Sequence, residues 1–151
     1  MALSLQEISD RIEIDDLLIR YTKAIDTKDW KLLDTVFTPD AQVDYTSSGG
    51  IKGSYPEARA WLAKALAIFP VTVHYVTNSE VTLAGDRASA RTAVYNPMFF
   101  ENPDRTRHHF AVGAYYVDDL VRTTQGWRIA ARREDQAFLE GSLPKALQIP
   151  R

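Results

Sequence analysis

The sequence changes its period at Pro70. Before it, apolar residues recur mostly at helical steps; after it they fall in β-branched and aromatic runs punctuated by hairpin signals. Ile14, Leu17, Leu18, Tyr21 and Ile25 make one helical stripe, and Ser4 with Glu7 has the spacing of a capping box at its start. Asp29 precedes a short second helix through Leu33, and Thr38-Pro39-Asp40 ends it, because proline disfavours a helical residue before it. Ala41 to Tyr45 alternates as a short strand, and the Thr46-Ser47-Ser48-Gly49-Gly50 stretch reads as a loop. Ser54 opens a third helix, with Pro56 in its first turn and Pro70 as its stop.

Val71 to Thr77 reads as a strand. Ala84-Gly85-Asp86-Arg87 is a hairpin turn; Ala88–Phe100, His108–Leu120 and Trp127–Phe138 follow as long strands, and Gly141, Pro144 and Pro150 suggest an irregular tail. Helices first and hairpin-linked strands afterwards predict an α+β fold, one curved antiparallel sheet with three helices over its concave face. That geometry leaves a pocket between the layers. Residues 1–151 fit one domain.

Composition excludes several classes of function. With no cysteine there is no disulfide, thiolate metal site or cysteine nucleophile. The 18 basic and 20 acidic residues nearly cancel, so no cationic field for nucleic acid arises. Acids stand where a signal peptide would carry lysines, and no apolar run approaches the ~20 residues of a membrane helix. A cytoplasmic domain without membrane or nucleic-acid partners is expected. Three histidines without a paired acidic motif argue against a metal. No G-x-G-x-x-G, G-x-S-x-G or Walker spacing occurs.

Ile14-Asp15-Asp16-Leu17-Leu18-Ile19-Arg20-Tyr21 running on to Asp26, Trp30…Leu33…Phe37-Thr38-Pro39-Asp40-Ala41, Tyr55-Pro56-Glu57-Ala58, His74-Tyr75-Val76-Thr77-Asn78 and Gly126-Trp127-Arg128-Ile129 follow one another in an order that resembles the SnoaL-like branch of the NTF2-like superfamily, a cone-shaped α+β barrel. Within it the chain is most similar to the group holding scytalone dehydratase, the bile-acid 7α-dehydratase and hexachlorocyclohexane dehydrochlorinase. That resemblance implies a histidine–aspartate pair that removes a proton during an elimination, carried by His74 and Asp26. It also implies Tyr21 and Tyr45 near the reacting oxygen, and Arg132 on the last strand. Val76 stands where the dehydrochlorinase has glycine, and Tyr21 where it has lysine, which departs from halide elimination.

The residues themselves leave alternatives open. Asp26 faces the negative end of its helix dipole, so it is exposed, caps the following turn through Thr27 to Asp29, or answers to a partner. Strict alternation puts Val71, Val73 and Tyr75 on the apolar face of their strand and His74 on the other. Asn96, between Val94 and Met98, is either hydrogen-bonded core or a substrate contact. His108 shares a face with Phe110 and Val112, a position for lining the pocket, whereas His109 points outward. Arg132, beside Arg133, Glu134 and Asp135, is a solvated charge cluster or a pocket residue. Trp61 and Trp127 read as core. Ala111, Gly113, Tyr115 and Val117 would form an apolar outer face, suited to a homo-oligomer, dimer or trimer.

An imidazole with a pKa of about 6.5 can accept a proton at neutral pH, and a carboxylate on its far nitrogen fixes the tautomer. The expectation is a cofactor-independent lyase or isomerase, dehydratase-like, acting on a small apolar ring compound. A non-catalytic binder or an assembly module of the same fold is the alternative.

Overall fold

A computed structural model describes residues 2–143. Helix α1 spans Leu5–Thr27, and its capping box forms: the Ser4 hydroxyl accepts from the Glu7 N–H while the Glu7 carboxylate accepts from the Ser4 N–H. The stripe from Ile14 to Ile25 is buried. Asp29 caps α2, Trp30–Leu33, by accepting from the Leu32 N–H. Strand β1 is Phe37–Asp44, followed by a 3-10 turn at Thr46–Ser48, β2 at Lys52–Ser54 and α3 at Tyr55–Ala65. Then come β3 (Val71–Thr72), β4 (Tyr75–Ala84), β5 (Arg87–Glu101), β6 (Arg107–Thr123) and β7 (Gly126–Gly141).

The strands join in the order β2-β1-β7-β6-β5, with β3 and β4 both on the far edge of β5. Every pairing is antiparallel except β1 with β7, which is parallel. Two bulges bend β7. Leu120 faces Ile129 but Asp119 faces Ala131, and Gly113 faces Phe138 but Ala114 faces Gln136. An extra residue on one strand turns and twists it. The result is the α+β class expected, a curved, unclosed sheet whose concave side is covered by helices.

The parallel pairing of β1 with β7 corrects the wholly antiparallel sheet expected, and four further expectations need correction. Strand β1 begins at Phe37, not Ala41, and contains Pro39; the register breaks between Phe37 and Gln42, so the missing proline N–H falls where no ladder bond is required. The strand expected over Val71–Thr77 is broken at Val73 and His74. Val71 and Tyr75 are exposed and Thr72 is buried, opposite to the alternation reading. On the outer face, Gly113 lies under the Phe138 ring and Tyr115 under the Arg91 guanidinium, 3.5 Å from the ring centre, so the stripe expected to be bare is partly covered by the chain itself. A Cβ at position 113 would overlap the Phe138 ring, so any larger residue there would have to displace that side chain from its cover. Pro144 and Pro150 lie outside the described residues.

Candidate active site

Asp26 occupies the last turn of α1, and no basic residue stands there to answer the helix dipole. The helix ends at Lys28 in the left-handed conformation, with φ 56°, and the Lys28 ammonium bonds the Phe69 carbonyl at 2.6 Å, tying the helix end to the segment before β3. Across the gap the sheet edge offers Asp26 three donors. The Thr72 hydroxyl bonds Oδ1 at 3.0 Å, the His74 N–H bonds Oδ2 at 2.9 Å and His74 Nδ1 bonds Oδ1 at 2.6 Å. The break between β3 and β4 frees the His74 N–H from the ladder, and the carboxylate takes the place of a strand partner. Burial pushes the Asp26 carboxyl up, but the His74 ring and backbone and the Thr72 hydroxyl together hold it below the usual carboxylate value. The His74 side chain is only 5% exposed.

His74 opens onto a cavity of about 780 Å³ between the helices and the sheet. With Nδ1 donating to Asp26, the lone pair of a neutral ring lies on Nε2. One end of the cavity is polar, lined by Tyr21, Tyr45, Tyr116, Glu134, Gln136 and the serine turn. The other is apolar, with Leu66, Phe69, Met98, Phe110, Val112 and Leu139. The Tyr21 and Tyr45 hydroxyls meet at 3.1 Å, and the Tyr21 ring packs edge-on against His74. Burial raises the phenols of Tyr21, Tyr45 and Tyr116, so all three remain O–H donors at neutral pH. Asn96 lines the same cavity, and its buried Oδ1 has no hydrogen-bond partner among the described residues.

Two of the expected site residues lie elsewhere. His108 is exposed and stacks on Phe100, with ring centres 5.3 Å apart, because the β5–β6 hairpin runs on past the helical cover and the cavity ends at Phe110. Arg132 is neither a solvated cluster nor a cavity wall. Its side chain is fully buried, bonded through Nε and Nη2 to Asp118 at 2.7 Å each. Its guanidinium lies 4.0 Å from the Tyr116 ring centre and 4.2 Å from that of Tyr21, so it supports the tyrosines from behind. Arg133 is exposed and pairs with Asp135. Trp127 is core as expected, but Trp61 lines the cavity.

Sequence reasoning missed Glu134 and Gln136, which follow Arg132 on the same face of β7 and line the cavity. It also missed the role of Ser47, which ties the turn to β7. The Ser47 hydroxyl donates to the Glu134 carbonyl at 2.6 Å and accepts from the Gln136 N–H at 3.0 Å. No cluster of three or more metal-ligating His, Asp or Glu occurs among the described residues, and none of their helices is long and apolar enough to cross a membrane.

Residues 6–133 match the SnoaL-like domain family. The chain belongs to that family. This SnoaL-like protein is 48% identical over 136 residues to an uncharacterised protein of Mycobacterium tuberculosis, a match covering 90% of this chain and 91% of that one. An aromatic ring hydroxylase-like protein from Novosphingobium aromaticivorans superposes with a TM-score of 0.74 at 30% identity, covering 90% of this chain and 95% of the other. A hexachlorocyclohexane dehydrochlorinase, LinA type 2, gives 0.77 at 18% identity over 92% and 93% of the two chains. A scytalone dehydratase-like protein, also from N. aromaticivorans, gives 0.76 at 17% over 91% of each. These likenesses carry the NTF2-like fold expected from the sequence.

Proposed function

We propose that this SnoaL-like protein is a cofactor-independent lyase of the dehydratase kind, or an isomerase that begins with the same proton abstraction, acting on a small ring compound. The observation that carries the reading is the 2.6 Å contact between His74 Nδ1 and Asp26, inside a cavity that is polar at one end and apolar at the other. His74 Nε2 takes a proton from a carbon next to a carbonyl. Asp26 holds the tautomer and stabilises the imidazolium that forms. Of the bonded pair Tyr21 and Tyr45, one hydroxyl donates to the carbonyl oxygen as it gains negative charge, and the other donates to that first hydroxyl across their 3.1 Å contact and strengthens it. The apolar end takes the hydrocarbon part of the ring system. The dehydratase-like and dehydrochlorinase neighbours favour elimination, and the ring hydroxylase-like one favours a ring as substrate.

The test is exchange and turnover with a β-hydroxy-tetralone, whose dehydration gives naphthol. The expected result is deuterium exchange at the carbon beside the carbonyl and naphthol formation, without added cofactor. Asp26→Asn and His74→Ala should each lower both rates about 100-fold or more while thermal melting stays cooperative. Tight binding with no exchange in the wild type would instead favour a non-catalytic binder, and product formed only with oxygen and a reductant would favour hydroxylation.

A further inference from the structure

Glu134 has no part in the chemistry described so far, yet it stands in the same cavity. It is a neighbour of Tyr116 in the β6–β7 ladder, and its face of β7 is the one that carries Arg132 and Gln136. Among the described residues no lysine or arginine nitrogen comes within salt-bridge distance of its carboxyl; Arg132 is committed to Asp118 and Arg133 to Asp135. The titratable and polar groups that share its cavity are the Ser48 hydroxyl from the turn after β1, His74 from the break before β4, Tyr21 from α1, Tyr45 after β1 and Tyr116, its ladder partner on β6, and the charge of Arg132 on its own strand also acts on it. The turn that pins β7 through Ser47 bonds the Glu134 carbonyl, so the backbone beneath this side chain is fixed. A carboxyl placed this way, with no salt-bridge partner among the described residues and in the same hollow as a histidine base, supplies what elimination of water needs and elimination of halide does not. Chloride departs as an anion, whereas hydroxide is a poor leaving group until it takes a proton.

We propose that Glu134 is the general acid of this site and that the substrate it serves carries a hydroxyl as its leaving group. The inference rests on the elimination reading above and names the group that protonates the departing hydroxyl. His74 Nε2 removes the proton from the carbon beside the carbonyl, and that electron pair becomes the new C=C bond. The bond from the next carbon to oxygen breaks, its pair stays on oxygen, and the Glu134 O–H proton moves to it, so water departs. The enzyme is left with imidazolium and carboxylate. Net transfer of one proton from His74 to Glu134 through solvent restores both, and no oxidant or reductant is involved. Burial raises the Glu134 carboxyl above the usual value, against smaller opposing influences from Ser48, His74 and Arg132, which favours the protonated form this role requires.

The experiment compares the β-hydroxy-tetralone with its β-acetoxy counterpart, whose acetate leaves without taking a proton. Glu134→Gln keeps size and polarity but cannot act as an acid. It should lower dehydration about 100-fold or more and change acetate elimination less than about threefold. In the wild type, dehydration should fall at high pH as Glu134 ionises, and acetate elimination should lack that falling limb. This second measurement needs no variant. Equal loss on both substrates, no loss on either, or identical pH profiles would overturn the role of Glu134 while leaving the His74–Asp26 reading intact. A wild type inert toward both compounds would overturn the elimination reading, and this inference with it.

Discussion

A buried arginine beneath the tyrosines sets a specific test at the scale of single residues. Arg132 and Asp118 are both fully shielded, and their two 2.7 Å bonds satisfy the carboxylate. Removing one partner of such a pair leaves a charge with neither water nor counter-ion, which typically costs about 3–5 kcal/mol. Arg132→Met should therefore lower the unfolding free energy by about that amount in urea titration. Arg132→Met with Asp118→Leu should recover most of it, since two apolar groups leave no orphan. Turnover should not recover in the double variant, because Tyr21 and Tyr116 would still lack the guanidinium behind their rings. If the double variant is as unstable as the single one, the ion pair is not what the arginine contributes.

The elements explain which parts of the site were legible in the sequence. Helix α1 with its cap, the Asp29 cap and the turns at Gly85 and Gly126 follow from local rules, and so does Asp26, an acid where a helix end disfavours one. The faces of β7 do not. Alternation counted onward from Trp127 and Ile129 puts Arg132, Glu134 and Gln136 outside. The bulge between Ile129 and Ala131 turns the face over, and the one at Ala137 turns it again, bringing Leu139 inward. Alternation alone does not place His74 for a related reason: its strand breaks at that point, and the long-range bond to Asp26 shows why. The turn pinned by Ser47 is equally non-local, reaching from residue 47 to residues 134 and 136. Ser47→Ala removes both bonds and should cost about 1 kcal/mol in stability. It should speed hydrogen exchange in residues 46–50 and raise KM several-fold with little change in kcat, since the turn lines the cavity but holds no reacting group. A loss confined to kcat would show that the turn acts on the chemistry.

Across the whole molecule, two acids anchor α1 to the sheet, one at each end, and they separate architecture from chemistry. Asp26 anchors the end beside the cavity. Asp10 anchors the other, where it takes two bonds from Arg122 of β6 at 2.6 and 2.7 Å, one from the Trp127 indole of β7 at 3.2 Å and one from Gln6. Arg122 also reaches Asp86 in the β4–β5 turn, so one guanidinium joins helix, sheet and hairpin. The Arg122 bonds come first in holding the Asp10 carboxyl down to about 2, against the opposing effect of burial. A carboxyl whose folded value lies below its unfolded one stabilises the fold fully above the unfolded value, and that contribution is lost as pH falls through the folded one. The stability due to Asp10 is thus complete above about pH 4 and disappears as pH falls toward about 2. Asp10→Asn should lower stability at neutral pH by about 2 kcal/mol and flatten the acid limb of the stability curve between those values, with turnover of the folded protein unchanged. Asp26→Asn should also soften the acid limb, since its folded value is likewise lowered, but it should lower turnover about 100-fold or more at every pH. Urea melts across pH 2–7, run beside the naphthol assay, distinguish the two. A turnover loss in Asp10→Asn matching that of Asp26→Asn would mean that the far end of the helix sets the geometry of the His74–Asp26 pair, and the separation of the two roles would fail.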